Sequence, residues 1–586
     1  VHTAPGFGAD DYQTCKRYGM EMVVPVNDQG RHTEYAGKYA GMTTDASNPV
    51  ILADMKESGA LFASEDITHS YPHCWRCKHP IIFRATPQWF CSVESFKDEA
   101  VAAVDHVRWI PGWGRERMIS MIQERADWCI SRQRRWGLPI PVFYCEDCGK
   151  PVCDEASIDA VSKLFAAEGS NAWYQKPAEE ILPQGYKCPH CGGTRFTKEE
   201  DTLDGWFDSG STHFASMRKD QDFWPATVYM EGLDQYRGWF QSSLLTAVGA
   251  LGEGAPFQEC VTHGWTVDGE GKAMHKSLGN GVDPADVVKK YGADMIRLWA
   301  GSADYHADVR CSDNIFKQLS QNYLKFRNTA RYCLGNLDGF DANHLVRPDE
   351  MEELDRWAIT RLNALMEKCE TAYQNYEFHV VSHAVNDFCV VELSSFYLDI
   401  IKDRLYCDET GGVSRRSAQT ALWMILDTIT KLFAPILAFT CDEIWLAMPH
   451  KDSDDARNVL LNQMNKPFEA YALDGGAMAA WNGLTEVRNT VNGALEAARA
   501  EKKIGKSLEA KVTIPAGKID GDRFMDMADL MIVSQVEVSA DAVDVQVAPA
   551  QGAKCERCWK VLPSVGRDGE HPGLCPRCAR VVRGLA

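Results

Sequence analysis

Cysteines two residues apart constrain this chain more than any other feature. Cys145 and Cys148 pair with Cys188 and Cys191 as one set; Cys555, Cys558, Cys575 and Cys578 make another. A C-x-x-C pair offers two sulfurs to one side of a tetrahedral zinc, and a second pair completes it. In the second set, 16 residues separate the pairs, a loop long enough to fold back. So short a segment has little core, and zinc supplies the folding energy it lacks. The first set has a longer loop and a spare Cys153. A further pair, Cys74 and Cys77 in "HCWRCKHP", stands alone. Either it is structural, or its partner pair lies upstream of Val1. The chain holds 21 cysteines, and "VHTAPGFGADDY" carries no secretory pattern, which favours zinc over disulfides.

At 586 residues there is room for several buried cores. The most apolar stretch, "ALWMILDTITKLFAPILAFTC", contains Asp427 and Lys431 and reads as a buried helix pair, so no membrane association is expected. The first residue is Val1, not Met; the expectation is a piece of a larger cytoplasmic protein. A formal charge of −20 excludes a chain that is basic throughout, but nucleic acid is met by local patches. Residues 553–586 form one, with seven Lys or Arg against three acids.

Residues 1–72 are rich in Gly and Asp, with β-like pieces such as "EMVVPV" and "PVILADM". Residues 201–300 alternate apolar runs with helical patterns, as α/β folds do. In "DPADVVKKYGADMIRLWA", Asp283 suits an N-cap and Pro284 the first helical position, with Val287, Val288 and Tyr291 on one face. Beyond 350, Leu362, Leu365, Met366, Cys369 and Tyr373 follow helical spacing, as do Leu422, Ile425, Leu426, Ile429, Leu432 and Phe433. Pro435 ends or kinks the second of these helices. The region reads as an antiparallel helical bundle to about 510, followed by a mixed segment from "AKVTIPAG" to "VDVQVAPA".

The loop "GKAMHKSLGN", 271–280, sets Lys276 and Ser277 beside Gly279 and Asn280. A lysine on a glycine-flanked loop brings positive charge to a phosphoryl transition state, and the loop can close over ATP. Upstream, "YMEGLDQYRGWFQSSL" sets Glu231, Asp234, Gln235 and Arg237 next to Trp239 and Phe240, and "DTLDGWFDSGSTH" sets acids around Trp206. Acids beside aromatics suit an ammonium group next to an apolar pocket.

These stretches, with "DWCISRQRRWGLPIPV" and "ATPQWF", resemble bacterial isoleucyl-tRNA synthetases, a family of class I aminoacyl-tRNA synthetases. The resemblance runs along essentially the whole chain. "WFDSGSTH" and "EGLDQYRGWFQSSL" favour the isoleucine family over its valine and leucine relatives.

The implied fold is the second half of a Rossmann-type α/β catalytic domain, with the rear of a β-rich editing domain, an α-helical anticodon-binding bundle and zinc-ribbon modules. The implied boundaries are 1–72 for the editing part, 73–142 for the return into the catalytic domain and 143–200 for a zinc ribbon. Then come 201–300 for the catalytic half, 301–349 for stem-contact helices, 350–510 for the anticodon-binding domain, 511–552 for a junction and 553–586 for a zinc finger. Lys276 and Ser277 match the second Lys and last Ser of the family's Lys-Met-Ser-Lys-Ser loop. Ala273 and His275 stand where the family has Lys and Ser, with Lys272 one step away. Glu231 matches an acid that contacts isoleucyl-adenylate, with Asp234 and Gln235 beside it. Trp206 and Trp239 match the lining of the amino-acid pocket. His2 and Asp11 match editing residues, Asp11 holding the amino group of mischarged valine; Phe7 stands where the family often has His.

The implied reaction joins isoleucine to tRNA(Ile) through an adenylate, with ATP and Mg2+ as substrate, in a monomer. Isoleucine and valine differ by one methylene, and this enzyme family is itself the general example of why that requires editing. Lysines in "RAEKKIGKSLEA" meet RNA backbone or merely solvate a helix face, and the basic terminal module is a second place for tRNA. No His-x-Gly-His motif occurs among the 586 residues, so this span is expected not to activate isoleucine alone. The alternatives are a non-catalytic tRNA-binding zinc protein derived from a synthetase, or a valine or leucine synthetase.

Overall fold

In the computed structural model, helical periodicity shapes the second half of the chain much as its apolar spacing predicts. The structure describes all residues except 1–2, 75–76, 218–222, 276–278, 519–525 and 586. The described chain forms two units. One comprises Val1–Val107, Glu116–Thr227 and Tyr236–Gln258; the other comprises Arg108–Arg115, Val228–Gln235 and Glu259–Ala586.

In the first unit, residues 1–72 are less β-like than their sequence suggests. "PVILADM" lies inside the helix Thr44–Glu57, whose N-cap Thr43 accepts the Ala46 N–H at 3.2 Å. The cap and an acidic first turn at Asp45 outweigh the β preference of Val50 and Ile51. "EMVVPV" contributes only an isolated bridge, Val26 to His32.

The zinc-ribbon segment of the same unit is a small sheet. Its central strand Phe143–Cys145 pairs antiparallel with Pro151–Val152 and with Phe196–Lys198. The helix Glu155–Glu168 begins in a reciprocal capping box between Asp154 and Ser157 and packs Val161 into a core with Phe143, Trp173, Ile181 and Phe196.

The second unit is dominated by helices. Asp313–Gly335, Glu353–Gln374, Val413–Phe433 and Gly475–Ala500 are the longest, and one continuous apolar core runs through them. Leu362, Leu365, Met366 and Cys369 are buried on Glu353–Gln374, and all six named positions of Val413–Phe433 are buried. Asp427 and Lys431 form a buried ion pair at 2.9 Å, and Asn465 donates to the same carboxylate. This satisfies the two charges in the apolar stretch, and among the described residues no helix is long and apolar enough to cross a membrane. Pro435 ends the helix Val413–Phe433, as expected. Asp283 caps the helix Pro284–Tyr291 through the Ala285 N–H at 2.8 Å; Val287 is buried, but Val288 is exposed and does not share its face.

The mixed segment after the bundle is a three-stranded sheet. Ala510–Pro515 lies between Gln535–Ser539, parallel to it, and Gln546–Pro549, antiparallel.

Candidate functional site

Asp204 organises the surroundings of Trp206 in the first unit. Its buried carboxylate accepts the Trp128 ring N–H at 2.9 Å, pairs with Arg132 at 3.2 Å and caps the helix Gly205–Gly210 at the Trp206 N–H, 3.4 Å away. Trp206 is half-exposed and lines a cavity of about 360 Å³ with Arg125, Trp128, Arg132, Asp204 and Gln241. Trp239 opens the neighbouring helix Trp239–Leu251, and its ring N–H donates to the Ser209 carbonyl at 3.0 Å. The two helices touch at Gly210, where an added Cβ would lie 2.7 Å from the Ser242 carbonyl group. The two tryptophans expected in one pocket therefore stand on helices that only glycine lets pack this closely.

Arg125, Arg132 and Gln241, which line this cavity, are not among the site residues expected from the sequence. A signal was present: Asp204 and Asp208 bracket Trp206, while Arg125, Asp127 and Arg132 bracket Trp128. Burial, then the Asp204 charge, push the Asp208 carboxyl up to about 6. Burial also lowers the pKa of the Arg125 guanidinium, which reaches Gln241.

Glu231, Asp234 and Gln235 are consecutive features of the second unit. Glu231 is exposed near the end of the strand Ala226–Gly232, and the turn Leu233–Tyr236 carries the other two. The Gln235 amide donates to Asp234 at 3.1 Å. A Cβ on Gly232 would meet the Asp234 carboxylate at 3.1 Å and His263 at 3.5 Å, so this glycine lets acid and imidazole approach the strand. The strand lies beside Phe257–His263, which pairs in parallel with Arg108–Ile110.

Lys276 and Ser277 lie outside the described residues, but the frame of their loop is clear. The Asp268 carboxylate accepts the Lys272 N–H at 2.9 Å and the Glu270 N–H at 3.0 Å, and it accepts from the Asn280 amide at 2.8 Å. Asn280 also donates to the Ala273 carbonyl at 3.1 Å and accepts the His275 N–H at 2.9 Å. These donors, the Lys272 N–H foremost, hold the Asp268 carboxyl below its ordinary range. The Lys272 ammonium pairs with Glu270 at 2.8 Å in solvent.

His2 likewise lies outside the described residues. Asp11, in the helix Ala9–Arg17, accepts the Ala4 N–H at 3.1 Å and so ties down the segment before its own helix.

The cysteines assemble as their spacing predicts. The sulfurs of Cys145, Cys148, Cys188 and Cys191 lie within 4.8 Å of one another, as do those of Cys555, Cys558, Cys575 and Cys578. Separations of 3.5 Å for Cys145–Cys191, 3.8 Å for Cys148–Cys188 and 3.9 Å for Cys558–Cys575 match the edge of a tetrahedron, roughly 3.8 Å for Zn–S bonds of about 2.3 Å. Backbone N–H groups of His190, Gly193 and Cys575 point at cluster sulfurs from 3.3–3.4 Å, as suits thiolates. In three of the four turns the first cysteine donates its N–H five residues ahead and accepts from four ahead: Cys145 with Lys150 and Gly149, Cys188 with Gly193 and Gly192, Cys555 with Lys560 and Trp559. Cys74, with His79 and Lys78, makes the same two bonds.

The basic terminal patch is largely engaged within the unit. Arg577 pairs with Asp403 at 2.5 and 2.9 Å, Arg583 with Asp568 and Glu570, and Lys560 with Asp529. Arg557 donates to the Cys407 and Tyr406 carbonyls. In "RAEKKIGKSLEA", Ile504 is buried and Glu509 accepts the Gly505 N–H at 2.8 Å and the Lys506 N–H at 3.2 Å, so that stretch is a folded connection.

An α/β half-site with a clasped lysine loop, a long helical bundle and four-cysteine modules define a class. Residues 12–312 match the tRNA synthetases class I (I, L, M and V), and the chain belongs to that family. Residues 355–514 match the anticodon-binding domain of tRNA ligase, and 552–581 the zinc finger found in FPG and IleRS. Within the family, the chain is 49% identical over its full length to an isoleucine–tRNA ligase of Carboxydothermus hydrogenoformans, spanning 65% of that protein. It is 48% identical to an isoleucine–tRNA ligase of Caldicellulosiruptor bescii, again along the whole chain, spanning 64% of that protein. Among solved structures, Mycobacterium tuberculosis methionyl-tRNA synthetase in complex with methionyl-adenylate has a TM-score of 0.48 at 16% identity, over 65% of this chain and 66% of that one.

Proposed function

We propose that this chain is part of an isoleucine–tRNA ligase. The observation that carries the reading is the likeness, at nearly half of all positions along the whole chain, to ligases of that specificity. Isoleucine carboxylate attacks the α-phosphorus of ATP, pyrophosphate leaves, and the acyl group passes to the terminal adenosine of tRNA(Ile). Positioning and charge stabilisation do this work. Lys276 and Ser277 face the phosphates of ATP, supplied with Mg2+, on a loop whose base Asp268 and Asn280 clasp. Glu231, Asp234 and Gln235 hold the adenylate, and Trp206 and Trp239 line the amino-acid pocket. His2 and Asp11 belong to hydrolytic editing of mischarged valine. The helical bundle, 350–510, receives the anticodon, residues 1–72 belong to the editing domain, 201–300 to the catalytic half, and 301–349 contact the tRNA stem. The enzyme acts as a cytoplasmic monomer.

Amino-acid-dependent ATP–pyrophosphate exchange tests this, with isoleucine, valine, leucine and methionine. It is run on residues 1–586 and on the whole reading frame. Exchange with isoleucine by the whole frame, and none by residues 1–586, is expected, since these residues contain no His-x-Gly-His motif. A preference for valine or leucine transfers the reading to those enzymes. An inert, zinc-loaded whole-frame protein that still binds tRNA leaves only a binding protein.

A further inference from the structure

A fifth thiol abuts the C-terminal cysteine cluster. Cys407 closes the helix Lys402–Cys407, far from the finger in sequence, yet it is buried in one cluster with Cys555, Cys558, Cys575 and Cys578. Its sulfur donates to the carbonyl of Arg557, the residue just before Cys558, at 3.9 Å. Cys407 and Cys558 both line a cavity of about 500 Å³, shared with apolar Ile400, Leu508 and Ile532. The Arg557 and Arg577 contacts hold the finger against this helix. Four thiolates complete the coordination of a structural zinc, so a zinc ion leaves the Cys407 sulfur outside its ligand set, at the edge of the site.

We propose that Cys407 is the resolving thiol of a hydroperoxide-sensitive zinc–thiolate site. The cavity admits the peroxide to Cys558. The Cys558 thiolate attacks a peroxide oxygen: an S–O bond forms, the O–O bond breaks, and hydroxide departs to the buffered solvent with the negative charge the thiolate brought, leaving a sulfenic acid. The Cys407 thiol attacks that sulfur. An S–S bond forms, the S–O bond breaks, and hydroxide leaves as water with the Cys407 proton. Two sulfurs give two electrons to the peroxide, and the zinc, reduced to three thiolates, escapes. A dithiol reverses the disulfide, and added zinc restores the site.

The test uses the zinc-loaded 586-residue chain, with hydrogen peroxide as the probe. Zinc release is followed with a colorimetric chelator, and disulfides are mapped by mass spectrometry after alkylation. A disulfide joining Cys407 to Cys558 or Cys578 is expected, formed as zinc leaves. In Cys407→Ser, release from the finger slows on the order of tenfold. The Cys145–Cys191 cluster serves as the internal reference, since Cys153 lies outside it and is exposed. Disulfides confined to the four finger cysteines, or an unchanged release rate in Cys407→Ser, overturn the proposal. If the variant fails to hold zinc, the map of the unsubstituted chain decides: a Cys407 cross-link supports the proposal and its absence refutes it.

Discussion

Asp208 shows what burial costs a carboxylate. One of its oxygens is buried without a hydrogen-bond partner, and burial together with Asp204 raises its pKa to about 6. The folded chain thus keeps a proton that the unfolded chain releases near pH 4. Stability falls as pH rises from about 4 to about 6, and the penalty is complete above that. Asp208→Asn removes the charge. It should stabilise the protein by about 1–2 kcal/mol at pH 7.5, with the gain fading as pH approaches 4. Melting temperatures of both proteins at pH 4.5 and 7.5 decide it; an equal shift at both values would eliminate the charge as the cause. At this scale the sequence showed acids crowded around Trp206. It did not show which one is buried, because Asp204 gains its partners Trp128 and Arg132 from two short strands far upstream in the chain, Trp128 being 76 residues away.

Helix ends tell a similar story between elements. Pro435 predicts a break because it lacks an N–H and its ring clashes with the preceding turn. What receives the groups left over is a tertiary matter. Arg297, on the helix Ala293–Ser302, donates to the Pro435 carbonyl at 2.7 Å and the Ile436 carbonyl at 3.0 Å. Asp294, on the same helix and buried, accepts the Phe439 and Thr440 N–H groups and the Thr440 hydroxyl, capping the helix Ala438–Ala447 from a distance. Asp294→Ala strands these donors and should cost about 2–4 kcal/mol, whereas Asp294→Asn keeps an acceptor and costs less. Hydrogen exchange of Ala438–Ala447 measures it, and unchanged protection in the alanine variant would show that the cap is dispensable. Periodicity made both long helices legible, and Asp283 with Pro284 marked a start correctly. It failed at "PVILADM", where Val and Ile look strand-like but Thr43 and Asp45 set a helix going. The cysteine turns were legible throughout, since metal-ligand spacing is local; the fifth thiol was not, since Cys407 has no pattern around it.

At the scale of the whole molecule, two kinds of stabilisation divide the chain. The bundle buries a continuous apolar core from Phe316 to Ala498, including Trp357, Trp423, Trp445 and Trp481; inside it Arg404 meets Asp355 at 2.6 Å, Lys431 meets Asp427, and Arg488 donates to the Leu530 carbonyl. Such a core is stable without metal. The cysteine modules are different. The finger's strands Ala553–Lys554 and Val561–Leu562 are two residues each, and its apolar cluster is mostly the cysteines themselves. Without zinc the four sulfurs lose the ion that joins the two turns, and polar contacts such as Lys560–Asp529 and Arg577–Asp403 are left to hold them. Zinc removal by a chelator should therefore unfold residues 553–586 and the 145–191 ribbon while the bundle persists. Limited proteolysis should cut first in those two segments, helical circular dichroism should fall only slightly, and two equivalents of zinc should restore protection. The ribbon should resist longer, because Phe143, Trp173 and Phe196 give it a small core of its own. Loss of the whole helical signal on chelation would show that the metal modules stabilise the bundle; undiminished protease resistance would show that zinc is not what holds them.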